Sequence, residues 1–470
     1  YKVPSYNSTN QTISDATAHF DPSELRNLGP SRTLVLVNGK RKNQSALVYV
    51  NDTPGKGEVG TDMKSIPAAA IKRSEVLRDG AAAQYGSDAI AGVVNIILKD
   101  SHSAGEINLG GGITSEGDGL TYNADINKGL ALGETGYLNL TGSFFYQEET
   151  NRAGTPGEDV LFGVDSSNPW IQDNPDLGMT VGQPEQTNLS GFANFGTTYG
   201  SGGEFYGYLG YTYRKGTSFA LYRAPYWISD DFGLLTPPGE TYNGFQPTFE
   251  TSIGDITTTL GTKNRLGEWN TDLSVSYGSN KVDYTIGNSI NVSLGASSPT
   301  EFDPGGYTFN NLLGNLDISR NFDQLTLSFG TEARREGFEV RAGQDESWVD
   351  GGVQSFPGLQ PGNALDESRT NIGVYAGLDF DATENTLLSG AVRFENYSDF
   401  GSNFSWKIAA RQKFADGKGA IRASVNTGFR APSLHQIYLS NVQTLVSGGT
   451  VSNQGTFNNV SPVIRDLGIP

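Results

Sequence analysis

The sequence predicts a mainly β protein in which a transmembrane antiparallel β-barrel follows a smaller α+β domain. Glycine supplies 61 of the 470 residues and aromatic residues supply 11%, a composition that favours strands and turns over helices. From about residue 100 onward, apolar and polar side chains alternate over stretches of about ten residues, as in LNLTGSFFYQ (Leu138–Gln147). The connections between these stretches alternate in length, with short turns at one end and longer loops at the other.

The barrel is expected over residues 100–470, where we count about 13 strands. Tight turns at 265–268, 321–323 and 415–418 alternate with long polar loops such as 150–186 and 217–252. Outer-membrane barrels have short turns at one end and longer loops at the other. A soluble β-sandwich or β-propeller is the alternative. A sandwich shows no such systematic difference in loop length, and the sequence lacks the fixed repeat of a propeller. Because single-chain barrels close on an even strand number and an open edge cannot face lipid, we expect further C-terminal strands.

Composition also excludes several function classes. The chain has no cysteine, so it contains neither disulfides nor a thiolate metal site. A net charge of −18 argues against binding to nucleic acid. Its three histidines, at positions 19, 102 and 435, lie in no metalloprotease or hydrolase motif. We therefore expect no enzyme, no metal site and no cofactor.

Residues 1–99 have the texture of a compact α+β domain. Strands are predicted over 33–40 and 46–52, a short helix over 65–73, and a closing buried strand in VVNIILK, residues 93–99. Gly80, Gly86 and Gly92 lie in the segment that leads into this last strand, and their spacing indicates sharp turns or close backbone contacts.

The stretch EVLRDGAAAQYGSDAIAGVVNIILK (Glu75–Lys99) resembles the plug motif of the TonB-dependent outer-membrane transporters. Two upstream blocks, LRNLGPSRTLVLVNGK and SIPAAAIKR, resemble the family's preceding segments in the same order. The sequence departs from the family pattern at Asn27, where glycine is usual, and at Asp79, which separates Arg78 from the glycine that often follows it directly.

The resemblance implies a fold, a location and partners. Residues 1–99 would form a plug, lacking its N-terminal part, inside a barrel of about 22 strands in the outer membrane of a Gram-negative bacterium. The implied function is active import of a scarce ligand, energised by the inner-membrane complex of TonB, ExbB and ExbD. An iron–siderophore complex is favoured over cobalamin, oligosaccharide or peptide. The alternative is a plugged barrel that binds at the surface or serves secretion without transport, and a surface lipoprotein is a further candidate partner.

The resemblance also suggests how the plug is locked in the barrel. Arg26 and Arg78 match two plug arginines that often face barrel glutamates in this family. The candidate partners are Glu332, Glu336 and Glu395, which have lumen-facing positions, and we include Glu75 of the motif among the residues that lock the plug. The alternative is that both arginines only cap loops within the plug.

Two sets of residues are candidate ligand contacts. Tyr222, Tyr226 and Trp227 lie in a long loop, where they could contact a sugar or an aromatic chelate or simply pack the loop onto itself. Lys407, Arg411 and Arg422 share the inward register of two adjoining strands and could steer an anionic ligand. Neutralising acidic plug residues is their alternative role. The segment FRAPS resembles a recurrent family segment that would place Phe429 in the outer aromatic girdle.

Overall fold

The computed structural model describes residues 6–8, 16–49, 55–157, 161, 163–200, 202–447, 450–457, 464 and 466–468. It contains a small N-terminal domain, a large antiparallel sheet and a C-terminal hairpin. The change from the first to the second falls between Leu98 and Gly105.

The N-terminal domain is built on a four-stranded mixed sheet. Its strand order is β4–β3–β6–β5, in which β3 and β6 are parallel and β5 and β6 antiparallel. Short 3₁₀ turns lie at Ala16–His19, Pro30–Arg32, Met63–Ser65 and Ala68–Ala70. The elements are β1 (Tyr6–Ser8), β2 (Ser23–Leu25), β3 (Thr33–Val37), β4 (Lys40–Arg41), β5 (Ile71–Leu77), α1 (Ala82–Tyr85) and β6 (Gly92–Leu98).

Two local predictions in this domain were wrong. The expected helix over 65–73 consists of two separate 3₁₀ turns, after which β5 begins at Ile71; Pro67 precedes the second turn, where its fixed φ suits an extended residue. The expected strand over 46–52 is not formed at residues 46–49, and residues 50–52 lie outside the described part of the chain.

The large sheet contains thirteen strands, as the alternating pattern predicted. Every strand is antiparallel to its neighbours in the sequence, and β7 and β19 are the two edges. The strands are β7 (Gly105–Gly112), β8 (Thr121–Leu132), β9 (Gly136–Gln147), β10 (Glu185–Tyr199), β11 (Gly203–Phe219), β12 (Thr248–Leu266), β13 (Trp269–Gly287), β14 (Gly305–Phe322), β15 (Leu325–Ala342), β16 (Leu365–Thr383), β17 (Thr386–Tyr397), β18 (Gly401–Phe414) and β19 (Gly419–Asn426).

The two ends of this wall differ as expected. The short connections at 133–135, 267–268, 323–324, 384–385 and 415–418, with the one between Tyr199 and Gly203, define what we call the short-turn end. The opposite, long-loop end carries the connections 148–184, 220–247, 288–304 and 343–364, together with the shorter ones at 113–120 and 398–400. Three short helices lie at that end: α2 (Pro169–Asp173), α3 (Asp345–Trp348) and α4 (Leu434–Tyr438). A hairpin of β20 (Asn441–Ser447) and β21 (Thr450–Thr456) follows.

No helix among the described residues combines the length and the apolar character needed to cross a membrane.

The two faces of the wall have opposite chemistry. The outward positions present large apolar side chains to the surroundings, with Leu109 79% and Ile421 67% exposed. Many inward positions are polar and buried, among them Thr212, Asp255 and Asn280. Apolar side chains that face outward are the surface that lipid covers in membrane barrels. Further members of the outer set are Ile107, Ile126, Leu189, Leu260, Leu273, Val275, Leu312, Ile372, Val374, Phe404, Ile408 and Val425.

The N-terminal domain packs against the inner face of the wall. Near the long-loop end, Phe20, Leu47 and Val59 of this domain share one apolar cluster with Phe249 and Phe338 of the wall. A second cluster joins the domain's sheet to Phe192 and Tyr208. The interface therefore combines apolar packing with the polar contacts described below.

Candidate functional site

The tight turn between β3 and β4 brings a basic side chain of the N-terminal domain to the wall. Asn38 and Gly39 both have positive φ, +49° and +81°, the conformation of a two-residue hairpin turn. Beyond the turn, Lys40 Nζ lies 3.1 Å from Asp272 Oδ2 and 3.2 Å from Asp317 Oδ2. The two aspartates come from the neighbouring wall strands β13 and β14 near the short-turn end, so this turn ties the domain to two strands at once.

A second lysine, which follows β4, also contacts the wall. Lys42 Nζ lies 2.6 Å from Asp255 Oδ1, and the Lys42 side chain is fully shielded from solvent. The other carboxylate oxygen of Asp255 accepts hydrogen bonds from Asn43 and Asn280. Buried ions need this degree of compensation, because each has lost its hydration shell.

Arg214 makes the reciprocal contact from the wall. Its Nη1 donates to Asp62 Oδ2 at 2.8 Å and to the backbone oxygen of His19 at 2.9 Å. Both Arg214 and Asp62 are buried. Asp62 also caps the 3₁₀ turn that begins at Met63 by accepting from the Lys64 amide, so one carboxylate serves both the fold of the domain and its attachment.

The His19 ring is enclosed by the wall. Nδ1 is hydrogen-bonded to Thr251 Oγ1, and Nε2 lies 2.9 Å from Ser218 Oγ. Gly216 leaves room for the ring, since a Cβ there would lie 2.8 Å from it. Burial, reinforced by the positive charges of Lys64 and Arg214, lowers the pKa of His19 to about 3. The ring is therefore neutral at physiological pH.

Six charged side chains of alternating sign line the inner face of β15, β16 and β17. Arg393 Nη2 lies 3.2 Å from Glu395 and 3.6 Å from Glu332. Arg334 lies 3.4 Å from Glu336, and Arg369 pairs with the same glutamate. All six are buried. We call Glu332, Arg334, Glu336, Arg369, Arg393 and Glu395 the charged wall cluster; their formal charges cancel.

The plug segment around α1 packs on the charged wall cluster. Helix α1 contacts β16, β17 and β18. Gly86, with φ +80°, ends the helix, and a Cβ at this position would lie 2.9 Å from Arg393 Nη2. Arg41 holds the segment within the plug by pairing with Asp88 and donating to the backbone oxygens of Tyr85 and Ser87. The motif that contains Gly80, Gly86 and Gly92 therefore contacts the wall and also forms part of the core of the domain.

The segment after β19 also turns into the lumen. Ala431 N donates to Ser87 Oγ, and Asp88 N donates to the backbone oxygen of Phe429. The ring of His435 lies 4.3 Å from that of Phe338 and 4.9 Å from that of Phe309, both on the wall. Residues 429–439 thus connect the plug to the inner wall at the long-loop end.

The long loops pack their aromatic residues together. Trp170 stacks on Tyr222 with ring centres 5.6 Å apart and meets Tyr226 edge-on at 5.8 Å. Its indole N–H donates to Asn243 Oδ1. Trp227 lies under the Arg223 guanidinium, 4.5 Å from ring centre to Cζ. These contacts hold the loops 148–184 and 220–247 against one another.

Family models match most of the chain. The TonB-dependent receptor plug domain matches residues 2–93, and the β-barrel of TonB-dependent receptors matches residues 186–463. The chain belongs to the TonB-dependent receptors.

The relatives of this receptor include two ferric enterobactin receptors of Pseudomonas aeruginosa. PirA is 25% identical over 445 residues, covering 92% of this chain and 56% of PirA. A second is 23% identical over 466 residues, covering 93% and 56%. The chain thus spans about half the length of the curated relatives it matches. A crystal structure of a point mutant of the P. aeruginosa receptor PfeA matches the fold with a TM-score of 0.66 at 16% identity, over 93% of this chain and 60% of that one.

The predicted lock residues of the receptor do not come together. Arg26 and Arg78 are exposed, and neither forms an ion pair with the described glutamates. Glu75 is exposed as well and pairs with Arg73 within β5. Glu332 and Glu395 are lumen-facing as predicted, but their partners are wall arginines. The pairing differs from the expectation because Arg26 lies in a left-handed turn just after β2 and Arg78 just after the end of β5.

Sequence reasoning missed the contacts that do hold the receptor's plug: Lys40, Lys42 and Asp62, with their wall partners Asp272, Asp317, Asp255 and Arg214. One usable signal was present. The run KRK directly follows an Asn-Gly turn, and the strands β12, β13 and β14 each carry an aspartate at an inward position. The sequence did not indicate which strand each lysine meets.

The two candidate ligand sets lie at opposite ends of the wall. Tyr222, Tyr226 and Trp227 belong to the long-loop end, half-buried in the loop packing described above. Arg411 and Arg422 lie opposite each other on β18 and β19 near the short-turn end, and Lys407 lies further along the same inward face. No described acidic plug residue forms an ion pair with these three. Phe429 is not in the outer girdle; its ring packs on Tyr397 of the inner wall and on Phe400.

Proposed function

We propose that this protein is an outer-membrane receptor, not an enzyme, that binds a ferric siderophore at its long-loop end and imports it through the barrel. The observation that carries the proposal is the attachment of the plug by discrete ion pairs, Lys40 and Lys42 from the plug and Arg214 from the wall. These ion pairs keep the plug in place in the absence of force. Breaking each buried pair costs about a few kcal/mol, so an applied force could release the plug by breaking a small number of pairs.

The energy source in this proposal is TonB with ExbB and ExbD. Lys40, Lys42 and Asp62 of the plug are each paired with a charge of the wall, and these pairs must break before the plug can move. Displacement therefore needs work from outside the barrel, and family membership supports the TonB complex as its origin. A surface lipoprotein that covers the loops remains a candidate partner.

The ligand class is proposed from the two relatives, which are ferric enterobactin receptors. We take the ligand to be an iron chelate that carries aromatic rings and negative charge. The stacked Trp170 and Tyr222 at the long-loop end offer ring faces to such a ligand. The cations Lys407, Arg411 and Arg422 lie toward the short-turn end, so an anionic ligand would meet them only after the plug has moved.

Uptake of radiolabelled ferric enterobactin by iron-starved cells tests the proposal. We expect deletion of the gene to reduce the uptake of ferric enterobactin and expression of the intact protein to restore it. Inactivation of TonB should abolish the restored uptake. Cobalamin and a maltodextrin serve as control ligands whose uptake should not depend on this gene. Binding without accumulation in TonB-competent cells would favour the non-transporting alternative. If only the uptake of a control ligand depends on this gene, that ligand would replace the siderophore in the proposal.

A further inference from the structure

A group of outward-facing residues lies at the short-turn end of β13, β14 and β15. Asp272 and Asp317 face inward, since both contact Lys40 of the plug. Trp269 and Arg320 each lie three positions from one of these aspartates along the same strand, and side chains an odd number of positions apart point to opposite faces of a sheet. Both therefore face outward. We call Glu268, Trp269, Arg320, Phe322 and Phe329 the rim cluster.

The rings of the rim cluster hold the Arg320 guanidinium in place. Its Cζ lies 4.2 Å from the centre of the Phe322 ring and 5.5 Å from that of Trp269. Trp269 in turn packs on Phe322 at 6.0 Å and on Phe329 at 5.3 Å. Arg320 also forms an ion pair with Glu268. A guanidinium fixed over aromatic faces loses little conformational freedom when it binds a further group.

The rim cluster marks one border of the apolar outer surface. Along β14 the outward positions from Phe322 to Leu312 are mostly apolar, and beyond Leu312 they become the polar Asn310 and Thr308. Ten residues at about 3.3 Å each, tilted by about 40°, span about 25 Å, the height of the lipid-facing band of a membrane barrel. Arg320 therefore lies at the level of lipid headgroups on the short-turn side.

We propose that the rim cluster binds the headgroup of a zwitterionic aminophospholipid of the phosphatidylethanolamine class. The phosphate would bind at Arg320, and the ammonium would bind at the Glu268 carboxylate beside it. Both side chains are reachable, at 27% and 64% exposure. A purely anionic headgroup complements the arginine but is repelled by the glutamate, so the paired charges select a zwitterion.

This inference rests on the membrane placement of the barrel but not on the transported ligand. Lipid retention and siderophore uptake are therefore separate readouts, and either can fail without the other. The site lies on strands in the middle of the sheet, all of whose neighbours are described.

Native mass spectrometry of the intact protein, extracted in mild detergent with equal amounts of phosphatidylethanolamine and phosphatidylglycerol, tests the proposal. We expect the wild type to retain phosphatidylethanolamine in preference to phosphatidylglycerol. Arg320→Gln should lower phosphatidylethanolamine retention about tenfold, which corresponds to about 1.4 kcal/mol. Glu268→Gln should keep lipid binding but remove the preference between the two lipids.

Arg265→Gln is the control for loss of a positive charge nearby, because Arg265 lies opposite Asn270 on the inward register, away from the rim cluster. Arg265 belongs to the same hairpin, but its Nε donates only to the backbone oxygen of Gly267, and the variant should retain lipid as the wild type does. A heat-dependent gel shift shows that each variant is folded. Equal retention of both lipids by the wild type, or unchanged retention by folded Arg320→Gln, would overturn the proposal.

Discussion

Lys42 Nζ lies 2.6 Å from Asp255 Oδ1 in a contact that joins the plug to the wall across 213 residues of sequence. The lysine side chain is wholly shielded from solvent and that of the aspartate is 4% exposed. The attraction within a pair this deeply buried adds little to the stability of the fold. Removing one partner is costly, because it leaves the other charge buried, unpaired and without water.

Asp255→Asn should therefore loosen the plug. The variant leaves the Lys42 ammonium buried beside neutral amides, and we expect the free energy of local opening around the β3–β4 turn to fall by about 3 kcal/mol. Amide hydrogen exchange of residues 36–47 measures it.

The control for that change is Asp100→Asn. Asp100 pairs with Lys72, and both side chains are more than two-fifths exposed, so the loss should be below about 1 kcal/mol. Equal effects of the two variants on exchange would show that the Lys42 pair is no anchor.

Gly86→Ala should displace α1 from the charged wall cluster. The added Cβ would lie 2.9 Å from Arg393 Nη2, and Arg393 cannot move without leaving Glu332 and Glu395. Gly39→Ala is the comparison, because Gly39 also has a positive φ, +81° against +80°, with no atom within 4 Å of the added Cβ.

Both variants carry backbone strain, and that of Gly86→Ala is the larger, because Gly86 combines φ +80° with ψ −160°, a region essentially restricted to glycine. We expect Gly86→Ala to destabilise its own region by at least about 1 kcal/mol more than Gly39→Ala does. The measurement is exchange of the α1 amides relative to those of the β3–β4 turn. If the two variants destabilise equally, the contact with Arg393 is not close.

Acidification should weaken the attachment of the plug. Burial lowers the pKa of His19 to about 3 and that of His435 to about 3, whereas a histidine in an unfolded chain titrates near 6.5. Below pH 6.5 the unfolded state binds protons that the native state does not. The stabilisation is therefore complete above about pH 6.5 and is lost as the pH falls toward 3, by about 1.4 kcal/mol per pH unit for each ring.

Thermal denaturation between pH 7 and pH 4.5 measures this dependence. His19→Gln should give a shallower decline of the melting temperature than the wild type, since glutamine does not titrate. A wild-type melting temperature that is constant over this range would contradict the buried, neutral state of the two rings.

The two candidate ligand sets should affect different steps of uptake. Tyr222→Ala removes a ring that stacks on Trp170 at the long-loop end, and we expect weaker binding of ferric enterobactin to whole cells, by about tenfold. The pair Arg411→Gln and Arg422→Gln lies on the far side of the plug and should leave this affinity unchanged while slowing accumulation. If the arginine variants weaken binding and Tyr222→Ala leaves it unchanged, the binding site lies in the lumen near the short-turn end.

The sequence alone determined the architecture of the wall. Alternation with a period of two needs no knowledge of partners, because each strand's own side chains decide which face meets lipid and which meets the lumen. The unequal connections and thirteen strands followed from the same pattern. The plug motif, from Glu75 to Lys99, identified the family before any geometry was known.

Only the tertiary structure decided which charges meet. Lys42 and Asp255 lie on separate domains, and their contact depends on the register of β12 and on where the β3–β4 turn meets the wall, neither of which has a local sequence signal. The same dependence explains why Arg26 and Arg78, chosen by resemblance, lie apart from Glu332 and Glu395. Local patterns fix the direction of a side chain, while pairing across hundreds of residues is a property of the assembled fold.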